Sequence, residues 1–184
     1  SGIVDFCDVS RRNIVVFKLS DPNPDCQNGI IAKCERIRVT QLRSQNVSGF
    51  DWVNNDRIMF RTGGDQLNGV TGAIDSIGIY AVNKDSTQAT QLVKPSDALT
   101  NTKVIQTIHL SLLPFDPEHI LVIRNDRKRY QFDVYKMNVY TGKFNRQLLP
   151  PGPVVGWGAD NDGTIRLAAM QDENSLNYET QIMY

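Results

Sequence analysis

Long apolar runs, excess charge of one sign and helical periodicity are all missing from this sequence. No run approaches the roughly 18 apolar residues that a membrane-spanning helix needs, so such a helix is not expected. Twenty basic and twenty acidic residues cancel, which leaves no overall charge to attract nucleic acid or an anionic membrane. The best helix candidate, residues 96–103, is too short and too polar to have an apolar face. The absence of a convincing helix favours an all-β domain over an α/β one.

Residue patterns that carry chemistry are equally scarce. Only two histidines are present. His109 falls on the more polar face of a predicted strand, and His119 falls at a predicted turn. No Gly-X-Ser-X-Gly sequence is present, and the cysteines and histidines lack the spacing of a zinc site. We therefore assign no catalytic, cofactor-binding or metal-binding residue, and we interpret both histidines as surface or structural.

The segment Asp160-Asn161-Asp162-Gly163 resembles the start of a calcium-binding loop. A calcium loop of this type requires a glutamate near its end, but the corresponding position is Gln171. The same four residues are typical of a type I turn followed by a residue in the left-handed conformation. We interpret the segment as a turn.

The sequence contains three cysteines, and this odd number argues against a disulfide-dense secreted scaffold. Cys26 and Cys34 flank Gly29 at hairpin distance and could form a disulfide in an oxidising compartment. The alternative is that all three cysteines are reduced and structural. Cys7 lies in an apolar predicted strand and is interpreted as a buried thiol.

What the sequence does contain is a repeated hairpin pattern. Two apolar segments flank a short polar turn three times, with turns at Asn54–Asp56, Asp116–His119 and Asp160–Gly163. This turn chemistry between apolar or alternating segments is typical of β-hairpins. Trp52 and Trp157 precede two of these turns at equivalent places, which predicts a repeated packing role between neighbouring units.

A second repeated feature fixes the period. The dipeptide Gln-Leu closes a strand-like segment at Gln41, Gln91 and Gln147, at intervals of about 50 residues, which is the length of a propeller blade. We predict a single β-propeller segment over residues 1–184, all-β, with about four blades of four antiparallel strands. The predicted blades span residues 3–42, 46–94, 104–150 and 153–184, and the strand Ile30–Cys34 belongs to the first of them.

The fourth predicted blade lacks an outer strand. Because unpaired sheet edges tend to pair with other strands, we expect either an open arc with covered edges or a homodimer through the open blade edges.

Three further segments are considered as possible binding or modification sites. The glycine-rich loop Gly63–Gly72 is predicted to be long and mobile, and nothing around it fits nucleotide binding. The basic segment Arg124–Tyr130 is predicted to be a solvated or partner-facing loop rather than a nucleic-acid site. Asn46-Val47-Ser48 matches a glycosylation sequon and carries little weight.

Four segments together resemble a known family. They begin at Trp52-Val53-Asn54, Asp116-Pro117-Glu118, Asp133-Val134-Tyr135 and Trp157-Gly158-Ala159, within residues 50–184. They look like the N-terminal β-propeller of bacterial prolyl oligopeptidase-family serine peptidases, of the dipeptidyl and acylaminoacyl peptidase types. This resemblance implies a propeller that caps an α/β-hydrolase domain and limits entry to small peptides. It also implies a bacterial parent protein in the periplasm or cytoplasm, with the periplasm preferred.

The catalytic domain of that family is not in this chain, so no catalytic residue can be carried over. The resemblance implies a non-catalytic segment that gates and positions peptide substrate for a hydrolase domain of the same parent chain. The alternative is a stand-alone propeller-like module that binds a protein partner. No cofactor, nucleic acid or membrane span is expected in either case.

Overall fold

The chain forms four antiparallel sheets that follow one another in chain order. The structure is a computed structural model, and it describes residues 2–5, 11–43, 45–63, 78–94, 105–128, 131–171 and 178–182. The first and last sheets have three strands each, and the second and third have four each. We call these sheets blades 1 to 4. The prediction of an all-β partial propeller is confirmed.

The described residues contain fourteen strands and two short helical segments, joined by turns and loops. Blade 1 contains β1 (Gly2–Asp5), β2 (Arg12–Phe17), helix α1 (Pro24–Gln27), a 3₁₀ turn (Ile31–Lys33) and β3 (Arg36–Arg38). Blade 2 contains β4 (Asn46–Trp52), β5 (Arg57–Gly63), β6 (Gly78–Asn83) and β7 (Thr90–Val93). Blade 3 contains β8 (Thr107–Leu112), β9 (His119–Lys128), β10 (Gln131–Asn138) and β11 (Phe144–Leu148). Blade 4 contains β12 (Val154–Ala159), β13 (Ile165–Gln171) and β14 (Tyr178–Ile182).

Side chains at the start of each predicted turn close the hairpins. In blade 2, Asn54 Oδ1 accepts hydrogen bonds from the backbone N–H groups of Asp56 and Arg57, at 2.9 and 2.8 Å. In blade 4, Asp160 Oδ1 does the same for Asp162 and Thr164, at 3.1 and 2.8 Å. Such Asx turns stabilise a chain reversal locally. The three predicted hairpins are confirmed as β4–β5, β8–β9 and β12–β13.

The strands of blade 1 occupy the second to fourth positions of a blade. β3 precedes β4 in the chain just as the outer strands β7 and β11 precede β8 and β12. In addition, β2 packs against β4 in the way that the third strand β10 packs against β12. Our prediction had placed the first strand of the chain at the first position of the blade. In the structure it takes the second position.

The predicted strand Ile30–Cys34 is wrong, because this segment forms a 3₁₀ turn instead. It follows helix α1, where Asn23 caps the helix by accepting a hydrogen bond from the Asp25 N–H and Pro24 occupies the first turn. Cys26 and Cys34 form a disulfide that joins the two helical segments, with a Cα–Cα distance of 4.8 Å. The disulfide alternative is therefore the one observed. Cys7 lies outside the described residues.

In the part of the chain that the structure describes, three apolar cores lie between successive blades, because the central strands bury both of their faces. In β9, Ile120 and Val122 pack toward blade 2, whereas Leu121 and Ile123 pack toward blade 4. The core between blades 1 and 2 includes Ile14, Val47, Ile58, Phe60 and Val82. Side chains alternate along a strand, so one strand serves two cores. This is the packing expected of stacked propeller blades.

The two tryptophans have the packing role predicted for them. Trp52 packs against the core between blades 1 and 2, and Trp157 packs against the core between blades 3 and 4. The Trp157 indole N–H also donates a 2.7 Å hydrogen bond to the Phe132 carbonyl of blade 3. Each indole therefore contributes to an interface between blades.

The Gln-Leu dipeptides mark the outer ends of blades 1 to 3. Gln91 and Gln147 lie in the outer strands β7 and β11, and Gln41 lies just after β3. All three glutamines are exposed, and the leucine that follows each is turned inward. The repeat thus reflects a common position at the end of a blade.

Candidate ligand-binding site on the inner strands

The first strands of neighbouring blades converge, and this places them on the inner side of the arc. Strand β8 contacts β12 directly. His109 of β8 reaches across to Asp51 of β4, with 3.7 Å between Nδ1 and Oδ2. Polar side chains on these strands are therefore brought together from different blades.

Asp51, Arg61 and His109 form the polar cluster at this inner position, and we call them the inner cluster. Arg61 Nη2 lies 3.5 Å from Asp51 Oδ2, so a single carboxylate oxygen faces both the guanidinium and the imidazole. The Asp51 and Arg61 side chains are 32% and 33% exposed, whereas His109 is 13% exposed. The ion pair is therefore accessible to a ligand in solvent, whereas the imidazole is largely covered.

Gly49 makes room for the Arg61 side chain. The two residues are paired across β4 and β5, next to a register shift between Val47 and Gly49. A Cβ atom at Gly49 would lie 2.6 Å from Arg61 Nη2, so any larger residue would displace the guanidinium. The glycine thus helps to hold Arg61 against Asp51.

Burial keeps His109 neutral near pH 7. Burial lowers the pKa of His109 below its ordinary value, the Asp51 carboxylate raises it, and Arg61 lowers it again. The ring atom Nε2 is buried and has no hydrogen-bond partner among the described residues. A neutral imidazole with one unused ring nitrogen can donate or accept a hydrogen bond according to its tautomer.

Neither histidine is placed to activate a nucleophile within the described residues. The Ser111 hydroxyl, two residues from His109, donates its hydrogen bond to the Leu112 carbonyl. His119 lies 2.8 Å from Asp116 and 3.4 Å from the Asn138 amide. Among the described residues, no serine or cysteine side chain is hydrogen-bonded to either ring in the manner of a catalytic dyad.

Asp116 organises the turn between β8 and β9. Burial would raise its pKa, but hydrogen bonds from Lys136 and His119 lower the pKa to about 2. Lys136 Nζ lies 2.5 Å from Asp116 Oδ2, and His119 Nδ1 lies 2.8 Å from Oδ1. The carboxylate therefore links the turn to β10.

We expect Asp116 to make unfolding pH-dependent in acid. Its folded pKa of about 2 lies below the ordinary 3.8, so the stabilisation is complete above pH 3.8 and is lost as pH falls toward 2. The contribution is about 1–2 kcal/mol after allowance for solvent screening. The free energy of unfolding in urea should fall less between pH 5 and pH 2.5 in Asp116→Asn than in the unmodified chain. Asp162→Asn, on an exposed turn, is the control, and an equal loss in Asp116→Asn and the unmodified chain would contradict the assignment.

The Asp160–Gly163 segment is a turn, as predicted. The Gly163 N–H donates to the Asp160 carbonyl at 3.0 Å, and Gly163 has a φ of 82°, which favours glycine. Asp160 Oδ2 accepts a hydrogen bond from Arg166 Nε at 3.0 Å. Across the described parts of the chain, no group of three or more His, Cys, Asp or Glu residues could hold a metal ion.

The basic segment that we predict to be an exposed loop has a different structure, and the glycosylation sequon is buried. Most of the basic segment Arg124–Tyr130 belongs to strand β9, which extends to Lys128. The sequon residue Asn46 is 2% exposed, and its Oδ1 accepts a 2.7 Å hydrogen bond from the Arg12 N–H. The folded chain therefore does not present Asn46 for glycosylation. The glycine-rich loop lies outside the described residues apart from Gly63.

Sequence reasoning missed one buried cation. Arg57, at the start of β5, is fully buried, and its guanidinium lies 4.7 Å from the centre of the Tyr140 ring. It donates hydrogen bonds to acceptors in blades 2 and 3: Asn83, Gln88, Thr90 and Val139. Burial lowers its pKa below the ordinary value. An arginine just after a polar turn is usually exposed, so the sequence gives no local signal for this role.

Comparisons with known proteins support the fold. No family description matches the sequence, and no curated protein matches it. The structure resembles that of TolB from Acinetobacter baumannii, with a TM-score of 0.50 and 17% sequence identity, over 94% of this chain and 35% of TolB. An oligogalacturonate lyase solved in complex with manganese gives a TM-score of 0.45 and 13% identity, over 80% of this chain and 36% of the lyase.

TolB is a β-propeller protein, so this likeness supports a partial propeller. The chain spans about a third of the length of that neighbour. At this level of identity the likeness concerns the fold alone.

Proposed function

We propose that this chain is a non-catalytic propeller segment that gates and positions peptide substrate for a serine-peptidase α/β-hydrolase domain of the same parent protein. The resemblance of residues 50–184 to the propellers of prolyl oligopeptidase-family peptidases supports the proposal, and so does the propeller fold. The Cys26–Cys34 disulfide favours an oxidising compartment such as the bacterial periplasm.

The inner cluster is the observation that carries the proposal. A short peptide offers an ammonium group at one end, a carboxylate at the other and amide groups between them. Asp51 would bind the ammonium group and Arg61 would bind a carbonyl or carboxylate oxygen, with the His109 ring beside Asp51. These three groups stand at the inner edge of blades 2 and 3, where a ligand entering the arc would meet them.

Peptide binding and hydrolysis can be measured on this chain directly. We expect the tetrapeptide Ala-Ala-Pro-Ala to shift the amide resonances of Asp51, Arg61 and His109 in a ¹⁵N-labelled sample. Acetylation of the peptide's amino terminus should weaken binding, because it removes the charge that Asp51 would recognise. We expect Asp51→Asn to weaken binding of the free peptide about fivefold or more, and Asp56→Asn, on the exposed β4–β5 turn, to leave it unchanged.

Two outcomes would overturn the proposal. Release of p-nitroaniline from Ala-Pro-p-nitroanilide by the purified chain would contradict a non-catalytic role. The assigned peptide site would be contradicted if the resonance shifts were confined to residues outside the inner cluster. It would also be contradicted if Asp51→Asn bound the peptide as tightly as the unmodified chain.

A further inference from the structure

A recess lies on blade 3 beside its outer strand β11, whereas the inner cluster includes a residue of its first strand β8. It has a volume of about 350 Å³, at the small end of the range for ligand pockets. The end of β9, the start of β10, the outer strand β11 and the segment leading to blade 4 enclose it. We call it the outer groove, and its walls include Arg127, Lys128, Gln131, Arg146, Leu149 and Pro150.

The outer groove carries a local excess of positive charge in a chain with no net charge. The buried carboxylate of Asp133 pairs with Arg127 through two hydrogen bonds, at 3.0 and 2.9 Å. Asp133 is fully buried and this pairing satisfies it, and none of the described residues that line the groove is acidic. Among the residues that the structure describes, neither Lys128 nor Arg146 has a carboxylate partner. Two cationic side chains are therefore available to an anionic ligand.

An apolar wall faces these cations. Leu149 is 50% exposed, and Pro150 and Pro151 follow it directly. The two prolines stiffen this wall because their rings fix the backbone φ angle. A small inorganic anion would make no use of the apolar wall. A ligand that matches the whole groove must combine negative charge with an apolar group.

An extended peptide fits this place better than a nucleic acid does. Strand β11 forms the outer edge of its sheet and ends beside the groove, so a peptide could lie along that edge while its side chains enter the groove. Among the described residues, those that line the groove include no aromatic ring on which a base could stack. The neutral chain also lacks the overall positive field that draws nucleic acid to a surface.

We infer that the outer groove binds an acidic, extended peptide segment of a protein partner, with Lys128 and Arg146 contacting its carboxylates and Leu149 and Pro150 contacting an apolar side chain. The inference does not depend on the proposed peptidase role, because the two sites share no residue and differ in chemistry.

Fluorescence polarisation with a labelled peptide tests this inference. The probe is fluorescein-Glu-Asp-Leu-Glu-Asp-Leu, and the comparison peptide is fluorescein-Lys-Lys-Leu-Lys-Lys-Leu. We expect saturable binding of the acidic peptide that weakens severalfold between 50 and 300 mM salt, because exposed charges are screened. The double variant Lys128→Glu/Arg146→Glu should bind at least tenfold more weakly. The double variant Lys33→Glu/Lys143→Glu makes the same change in net charge elsewhere and should bind like the unmodified chain.

Thermal unfolding of both double variants shows whether a loss of binding reflects unfolding. An equal loss of affinity for the acidic peptide in the two double variants would overturn the inference, because such a loss would depend on net charge alone. The inference would also be overturned if the acidic peptide showed no saturable binding, or if the basic peptide bound equally well. Tighter binding of a fluorescein-labelled oligothymidylate than of the acidic peptide would overturn it too. The Asp51→Asn variant should bind the acidic peptide normally, which separates this result from a failure of the inner cluster.

Discussion

Replacement of Arg57 by methionine is expected to lower the free energy of unfolding by about 3 kcal/mol or more. The guanidinium is buried between blades 2 and 3, where it donates to the carbonyl oxygens of Gln88 and Val139. Methionine fills much of the volume but leaves these buried oxygens without a donor. Each such oxygen costs about 1–3 kcal/mol when it has no partner.

Chemical denaturation of Arg57→Met, Arg57→Lys and Arg146→Met measures this effect. Arg57→Lys keeps the charge but lacks the planar guanidinium with its several donors. Its free energy of unfolding is therefore expected to lie between those of the unmodified chain and Arg57→Met. Arg146 is an exposed arginine on a strand, and Arg146→Met should change the free energy of unfolding by less than about 0.5 kcal/mol. Similar values for Arg57→Met and Arg146→Met would contradict a structural role for the buried cation.

Truncation of Ile120 to alanine is expected to destabilise the chain by about 2–5 kcal/mol. Ile120 is fully buried in the core between blades 2 and 3, which also contains Met59, Ile79 and Met137. Removing three carbon atoms loses their transfer free energy and leaves a cavity that neighbouring strands cannot fill freely. Ile108→Ala makes the same truncation in β8 at a site that is 46% exposed, and should cost well under half as much.

A double-mutant cycle tests whether that core joins two blades. Ile120 and Met59 belong to different blades but to the same core, so Ile120→Ala and Met59→Ala should show non-additive losses. Ile120 and Phe60 belong to different cores, so Ile120→Ala and Phe60→Ala should be additive within about 0.5 kcal/mol. The reverse pattern would contradict the assignment of alternate β5 residues to opposite faces.

The hairpins were predictable because their determinants are local. Asn54 and Asp160 each accept hydrogen bonds from backbone groups two to four residues later, so the sequence around each turn contains the whole interaction. The alternation of apolar residues then sets which face each strand buries. Local chemistry of this kind supports the fold class and the positions of most strands.

Two segments depart from the sequence-based prediction because each contains opposing local signals. Ile30 and Ile31 before Cys34 suggested a strand, but Asn23 and Pro24 upstream are helix-start residues and would have indicated the helical segment. The charges of Arg124–Tyr130 suggested a loop, although Arg127 is held in strand β9 by the buried Asp133. Charge in a segment does not exclude a strand when a neighbouring strand supplies the counter-charge.

The candidate site could not be assembled from sequence because its parts are distant in the chain. Asp51 and His109 are brought together only by the packing of blade 2 against blade 3. The prediction that His109 lies on a polar strand face identified its surroundings but gave no partner. The burial of Arg57 depends in the same way on Val139, which belongs to the next blade.

The two-sided burial of β9 limits how this protein can change over evolutionary time. Inserting or deleting a single residue near Ile120 would turn every later side chain of the strand toward the wrong neighbour and would disturb two interfaces at once. Length variation among descendants of this chain should therefore collect in the connections between strands, such as the disulfide-closed segment between β2 and β3. A library of single-codon deletions, screened for soluble expression, would show this contrast directly.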